Sequence, residues 1–167
     1  MGGFICFRIK FKMKKPKFSI AHKDEEIQEL IKKTDHKILG IWAIDCAERV
    51  MPYFEKEYPK DLRPRLALET LQAWIDTGIF KMMVIRKASL DSHAAAREVG
   101  EDNPARSAAR AAGQAVATVH VSRHAYGSAI YAQQAIFRAT NQSDADVEVI
   151  KERNWQYQRL LDLRGGH

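Results

Sequence analysis

The chain has 167 residues, of which 46% are hydrophobic and 29% charged, with a formal net charge of +6 and a pI near 9.4. This length can bury a sizeable core and suits one domain. Arg8, Lys10, Lys12, Lys14, Lys15 and Lys17 precede any acid, and the other 21 cations equal the 21 carboxylates, so composition gives no reason to expect a nucleic-acid surface on the body.

The first twenty residues stand apart. Phe7, Ile9, Phe11 and Met13 alternate with Arg8, Lys10, Lys12 and Lys14, a period-two pattern open to an edge strand, a membrane-surface segment or no fixed structure. Residues 1–20 are read as a loose basic tail and 21–167 as a single helical domain. Met13-Lys-Lys-Pro-Lys has the look of an ordinary amino terminus, which makes Met13 a candidate start of translation. Phe4 to Phe7 is too short for a signal-peptide core, and Cys6 stands where a myristoylation signal wants Ser or Thr. No window approaches the 18 consecutive apolar residues of a membrane span, so no stable membrane insertion and a cytoplasmic location are expected. Two cysteines make no disulfide framework, and Cys46 sits in an apolar helical pattern as a buried structural thiol.

From Asp24 the pattern is helical. Asp24 is a candidate N-cap for a short helix with Ile27, Leu30 and Ile31 on its apolar stripe, ending near Lys33. Thr34 or Asp35 caps the next, where apolar residues from Ile38 to Met51 cover most of the circumference and predict a largely buried helix that Pro52 ends or kinks. Leu66, Leu68, Leu71, Trp74 and Ile75 follow at helical spacing and Gly78 closes that helix. A fourth runs from about Phe80 to Val99.

Asp102-Asn-Pro then opens a stretch, Ala105 to Ala139, with twelve alanines. Alanine loses no side-chain entropy in a helix and lets helix axes approach closely, so this stretch predicts close-packed helices. Ala105, Ala108, Ala112, Val116 and Val119 share one face, and Arg106, Arg110, Gln114, Thr118 and Ser122 form a separate ridge whose charged part, Arg106 and Arg110, is expected to be exposed. Gly127 is the expected bend or break before a run through Ile130, Tyr131 and Phe137. In the last helix the predicted stripe is Val147, Ile150, Asn154, Tyr157 and Leu161. The expected fold is all-α, a compact bundle of six or seven helices with no strand in the body, no internal repeat and no linker. Trp42, Trp74, Trp155 and Tyr157 lie in amphipathic windows and read as core anchors rather than base-stacking platforms.

Two constellations bear on chemistry. His120 and His124 are four apart, as two ligands on one helix face would be, and His93 on an earlier helix could complete an open metal site for a metal-dependent enzyme. The competing reading has each imidazole at the border of an apolar face, bonded to a backbone or carboxylate neighbour. His-Glu-x-x-His, Glu-x-x-His, Gly-x-Ser-x-Gly, a phosphate-binding glycine loop and Cys-x-x-Cys pairs do not occur. No cofactor is expected. The second constellation is Asp45, Glu48 and Arg49 on an otherwise apolar helix, where Asp45 and Arg49 are spaced for an ion pair. With Arg63 and Arg65 it is either a structural pairing on the wet side of a central helix or a groove presenting oriented charge to a partner, a task that suits the planar arginine fork. Arg106 and Arg110 are an equal candidate for a contact surface.

The stretches Asp35 to Glu55 (with Trp-Ala-Ile-Asp-Cys-Ala-Glu-Arg), Pro59 to Arg65 (with Arg-Pro-Arg), Ala108 to Ala125 and Glu152 to Leu161 resemble a small helical family of bacterial immunity proteins of polymorphic toxin systems. The similarity spans roughly Thr34 to Leu163. It implies a non-enzymatic protein that neutralises a cognate toxin by binding it, and carries over no catalytic residue. The first dozen residues look unlike the family, Phe80 to Ser89 looks less like it than its surroundings, and Gln114 stands where many relatives are expected to carry His, which weakens the metal-site reading. A scaffold or small-ligand-binding protein is the remaining alternative.

Overall fold

A computed structural model of the protein describes residues 17–21 and 23–166. Most of the basic tail, the Met13 start and Cys6 lie outside these residues. The described residues form eight α-helices and no strand: α1 Glu25–Lys32, α2 His36–Glu48, α3 Met51–Glu57, α4 Arg63–Thr77, α5 Met82–Glu98, α6 Pro104–Ala117, α7 His124–Ala139 and α8 Ala145–Gly165. Asp24, Asp35 and Asn103 cap α1, α2 and α6 by accepting backbone N–H bonds, which satisfies donors that a helix start leaves open. Gly78 ends α4 with φ 68°, a left-handed conformation that favours glycine.

The count exceeds six or seven because the residues after α2 form a helix of their own, α3, and a second break falls where local pattern did not put it. The buried second helix divides at Arg49–Val50, and Pro52 lies in the first turn of α3, where a missing N–H costs nothing. The alanine-rich stretch breaks over residues 118–123, not at Gly127, which lies inside α7. His36, half-buried at the start of α2, donates a ring N–H to the Thr118 carbonyl at this break and stacks against Trp74.

Helix α6 lies at the centre, packed by α2, α3, α4, α5 and α7. Ala105, Ala108, Ala112, Val116 and Val119 are all buried, as their shared face predicts, and so are Ala109, Ala111 and Ala115. Only small side chains permit five neighbours so close. Buried serines bridge the contacts by donating to carbonyls of facing helices: Ser92 to Ala109 at 2.8 Å, Ser89 to Gly113 at 2.9 Å and Ser128 to Ala43 at 3.0 Å. Cys46 is fully buried, and desolvation raises its thiol pKa well above the ordinary value, with the Glu152 and Asp45 carboxylates acting the same way.

Helix α8 overturns the stripe expected for it. Val147, Ile150 and Asn154 are exposed, and the buried face carries Ala145, Glu152, Gln156 and Leu160. Polar residues can face the core here because each meets a partner. Arg49 Nε donates to both Glu152 oxygens at 3.1 and 2.9 Å, Gln156 Nε2 donates to Glu152 at 3.2 Å and to the Ala129 carbonyl at 3.1 Å, and Gln133 Nε2 donates to Gln156 Oε1 at 2.8 Å. The indole of the fully buried Trp42 donates to the Gln156 carbonyl at 2.8 Å. Trp42 is thus the core anchor its pattern predicts, whereas Trp155 and Tyr157 are half-buried plates under the guanidinium groups of Arg49, 3.9 Å from the ring centroid, and Arg153, at 5.0 Å.

The Glu152 side chain is 2% exposed and that of Arg49 40%. Removing the arginine strands a buried carboxylate, so Arg49→Ala is expected to destabilise by about 2 kcal/mol or more. Glu152→Gln in the Arg49→Ala background should recover part of that loss, a coupling measurable by urea denaturation of the two single variants and the double variant.

Candidate functional site

The charged residues picked out on α2, α3 and α4 are engaged with the chain itself. Asp45 and Arg49 do not pair with each other as their spacing suggested. Both turn to α8, where Arg159 Nε donates to Asp45 at 2.8 Å and Arg49 grips Glu152. Arg65 holds Glu48 and Glu55, tying α4 to α2 and α3. Arg63 clamps Asp61 and Glu98 with contacts of 2.6 to 2.9 Å, and these bonds lower the pKa of both carboxyls. The reason is geometric: α8 packs on α2 and brings Arg159 and Glu152 to Asp45 and Arg49. Arg106 and Arg110 differ. They are half-buried on α6 and have neither an ion pair nor a hydrogen bond among the described residues. The exposure expected of these two is only partial, because neighbouring helices pack around α6.

The three histidines do not form a shared ligand set. Among the described residues no group of three His, Cys, Asp or Glu side chains is placed to hold a metal ion. His120 lies in the turn before α7 rather than on a helix with His124, although their rings are 5.4 Å apart. His124 Nδ1 donates to Gln114 Oε1 at 2.7 Å, a bond that leaves Nε2 as the lone-pair nitrogen of the neutral ring. Burial lowers the His124 pKa, with His120 and Arg123 acting the same way. His93, on α5, packs on the backbone of α6 where Gly113 supplies the room, and its Nδ1 is buried without a hydrogen-bond partner. Burial, then Arg110, Arg97 and His124, lower its pKa to about 4, so the ring is neutral at pH 7. A Cβ at Gly113 would lie 2.8 Å from the His93 ring, and one at Gly127 would lie 2.6 Å from Gln114 Oε1. Two glycines therefore seat two polar side chains between α5, α6 and α7, where pattern reading assigned Gly127 to a break.

A different feature went unmarked in the sequence. Ile79, Phe80, Met82, Met83 and Val84 are all exposed, Met83 to 79%, at the junction of α4 and α5. Leu90, one helical row further along α5, is exposed too. The signal was available in Met82-Met83-Val84-Ile85, since four consecutive apolar residues cannot share one helix face, and only Ile85 turns inward. Lys81, Arg86 and Lys87 border the run, and among the described residues Lys87 alone of these has an ion pair, with Asp91 on its own helix.

The arrangement defines an all-helical protein with charged side chains clamped across helix interfaces, a neutral histidine seat inside and an apolar strip outside. The family model described as Imm-5 like putative immunity protein matches residues 29–163, and the chain belongs to that family. No curated protein and no solved structure matches it. No helix of the described residues is long and apolar enough to cross a membrane.

Gly113→Ala is expected to destabilise by about 1–3 kcal/mol through overpacking against the imidazole. His93→Ala in that background should relieve most of the loss, as thermal denaturation would report. His93 also sets a pH dependence. Its folded pKa, about 4, lies below its ordinary 6.5, so the unfolded chain binds the proton first. Stability present above pH 6.5 is lost as the pH falls towards 4, and this contribution stops growing below that. Denaturation at stepped pH should show a shallower slope over that window in His93→Gln.

Proposed function

We propose that this chain is a cytoplasmic immunity protein that neutralises a cognate bacterial toxin of a polymorphic toxin system by direct, non-enzymatic binding. Family membership supports the immunity role. The observation that carries the binding surface is the exposed strip Ile79, Phe80, Met82, Met83 and Val84. A contiguous apolar strip costs solubility unless something covers it, and methionine and phenylalanine are residue types enriched at interface centres. Its cations favour a toxin face with an apolar centre and carboxylates around it. A two-fold pairing of the strip with itself would instead set Lys81 and Arg86 against their own copies. All of the strip but Ile79 falls in the segment Phe80 to Ser89, which looks less like the family than its surroundings, as specificity for one partner would require. The charge clamps of Arg49, Arg63 and Arg65 serve a binder indirectly: they hold the helices in place before contact, so little ordering entropy is lost on binding.

Co-purification from the source bacterium, followed by growth rescue against the recovered toxin, tests the reading. Met83→Asp and Phe80→Asp are expected to weaken binding by about 30-fold or more, the scale of an interface hot spot, with helical content and unfolding midpoint unchanged. Full rescue by both variants would reject this surface, and recovery of no toxin that the intact chain neutralises would reject the function.

A further inference from the structure

The polar network behind α8 has a direction, and one carboxylate sets it. Glu152, ionised against Arg49, can only accept hydrogen bonds. Gln156 therefore turns Nε2 towards Glu152, at 3.2 Å, and towards the Ala129 carbonyl, at 3.1 Å. Its Oε1 is left as an acceptor that only a donor can meet, so Gln133 presents Nε2 to it at 2.8 Å. Gln133 Oε1 is then left over, and among the described residues it accepts no hydrogen bond. Nor is that oxygen sealed in. His93 Nδ1 alone, among the described residues, is a fully buried side-chain polar atom without a partner, so Oε1 reaches open space although Gln133 as a whole is 4% exposed.

That space is a cavity of about 380 Å³ between the chain around Phe18 and Asp24, helix α7 and helix α8, a size in the range of small-molecule sites. Phe18, Val149 and Ile150 give it apolar walls, and the Phe18 ring packs on that of Phe137 with centroids 5.5 Å apart. Asp24 and Arg153 also line it, and Arg153 is already matched: Nε donates to Asp24 at 2.5 Å and Nη2 to Glu26 at 2.5 Å. An anion would find no unpaired cation among these residues. The lining rewards a molecule that covers the apolar walls and donates one hydrogen bond to the amide oxygen.

We infer that this cavity is a binding site for a small neutral molecule with an apolar ring body and one N–H or O–H donor, which bonds to Gln133 Oε1. Indole and phenol have that chemistry. Glu152 acts on the site through Gln156 and Gln133, by fixing which end of the Gln133 amide faces the cavity. The site lies on α7 and α8, apart from the strip where α4 meets α5, and stands or falls independently of the toxin-binding reading.

The test is an amide NMR titration of the full chain with indole and with N-methylindole, which lacks the donor. Indole is expected to shift the Gln133 side-chain amide and the Ile150 backbone amide saturably, with an affinity about fivefold or more above that of N-methylindole. Ile150→Asp, at a position 57% exposed and so without cost to the core, should lose binding of both probes. Gln133→Met should bind the two equally, and Met83→Asp, on the strip, should behave as the intact chain does. Benzoate, which brings a negative charge and no donor, should bind more weakly than indole. Equal affinity of the intact chain for indole and N-methylindole, tighter binding of benzoate, binding retained in Ile150→Asp, or no saturable shift at all overturns the site. The comparison of probes in the intact chain decides the matter even where Gln133→Met fails to fold.

Discussion

Helix α6 is surrounded, and its side chains must therefore be small. Five helices pack on its fourteen residues, which leaves volume on its inner faces for alanine, glycine, serine and valine and little more. At such distances a lost methyl leaves a void and an added one collides, because interiors are packed to crystal density. Close approach also brings carbonyls of one helix within reach of serine hydroxyls on the next, so Ser89, Ser92 and Ser128 bond across interfaces that in a leucine-rich bundle would be purely apolar. The remaining organisation follows. Large buried side chains come from the neighbouring helices instead, Leu39 and Trp42 from α2, Phe54 from α3 and Leu71 from α4.

The same constraint accounts for the polar interior. A glycine on α6 lets His93 lie flat on its backbone, and a glycine on α7 does the same for Gln114. Glu152 and Gln156 face inward from α8 because Arg49, Gln133 and the Ala129 carbonyl meet them. Buried polar networks of this kind are costly when one member is missing and add little net stability when complete. Their contribution is to specify one arrangement of helices over others of equal hydrophobicity, which suits a protein whose outer surface must be presented in one shape.

On the exterior, the apolar strip at the start of α5 is a run of large side chains for which the chain supplies no cover. Lys81, Arg86 and Lys87, all exposed, give it a cationic border. It lies where α4 ends and α5 begins, outside the polar network that fixes the helices.

The helices were legible because helix formation is local. Caps at Asp24 and Asp35, the glycine stop at Gly78 and the inward face of Ala105, Ala108, Ala112, Val116 and Val119 depend on spacings of a few residues. The family motifs are likewise contiguous, and the match over residues 29–163 follows from them. Long-range pairing was not legible. Asp45 with Arg159, Arg49 with Glu152 and Arg153 with Asp24 join residues more than a hundred positions apart, and a four-residue spacing suggested the wrong partner for Arg49. The buried stripe of α8 was misread for the same reason, since hydrophobicity marks a core face only when the core is apolar. Sequence alone determined that this chain forms close-packed helices and which family it joins. Tertiary structure decided which charges meet, which histidine stays neutral and which apolar residues are left facing water, because those depend on what crosses from another helix.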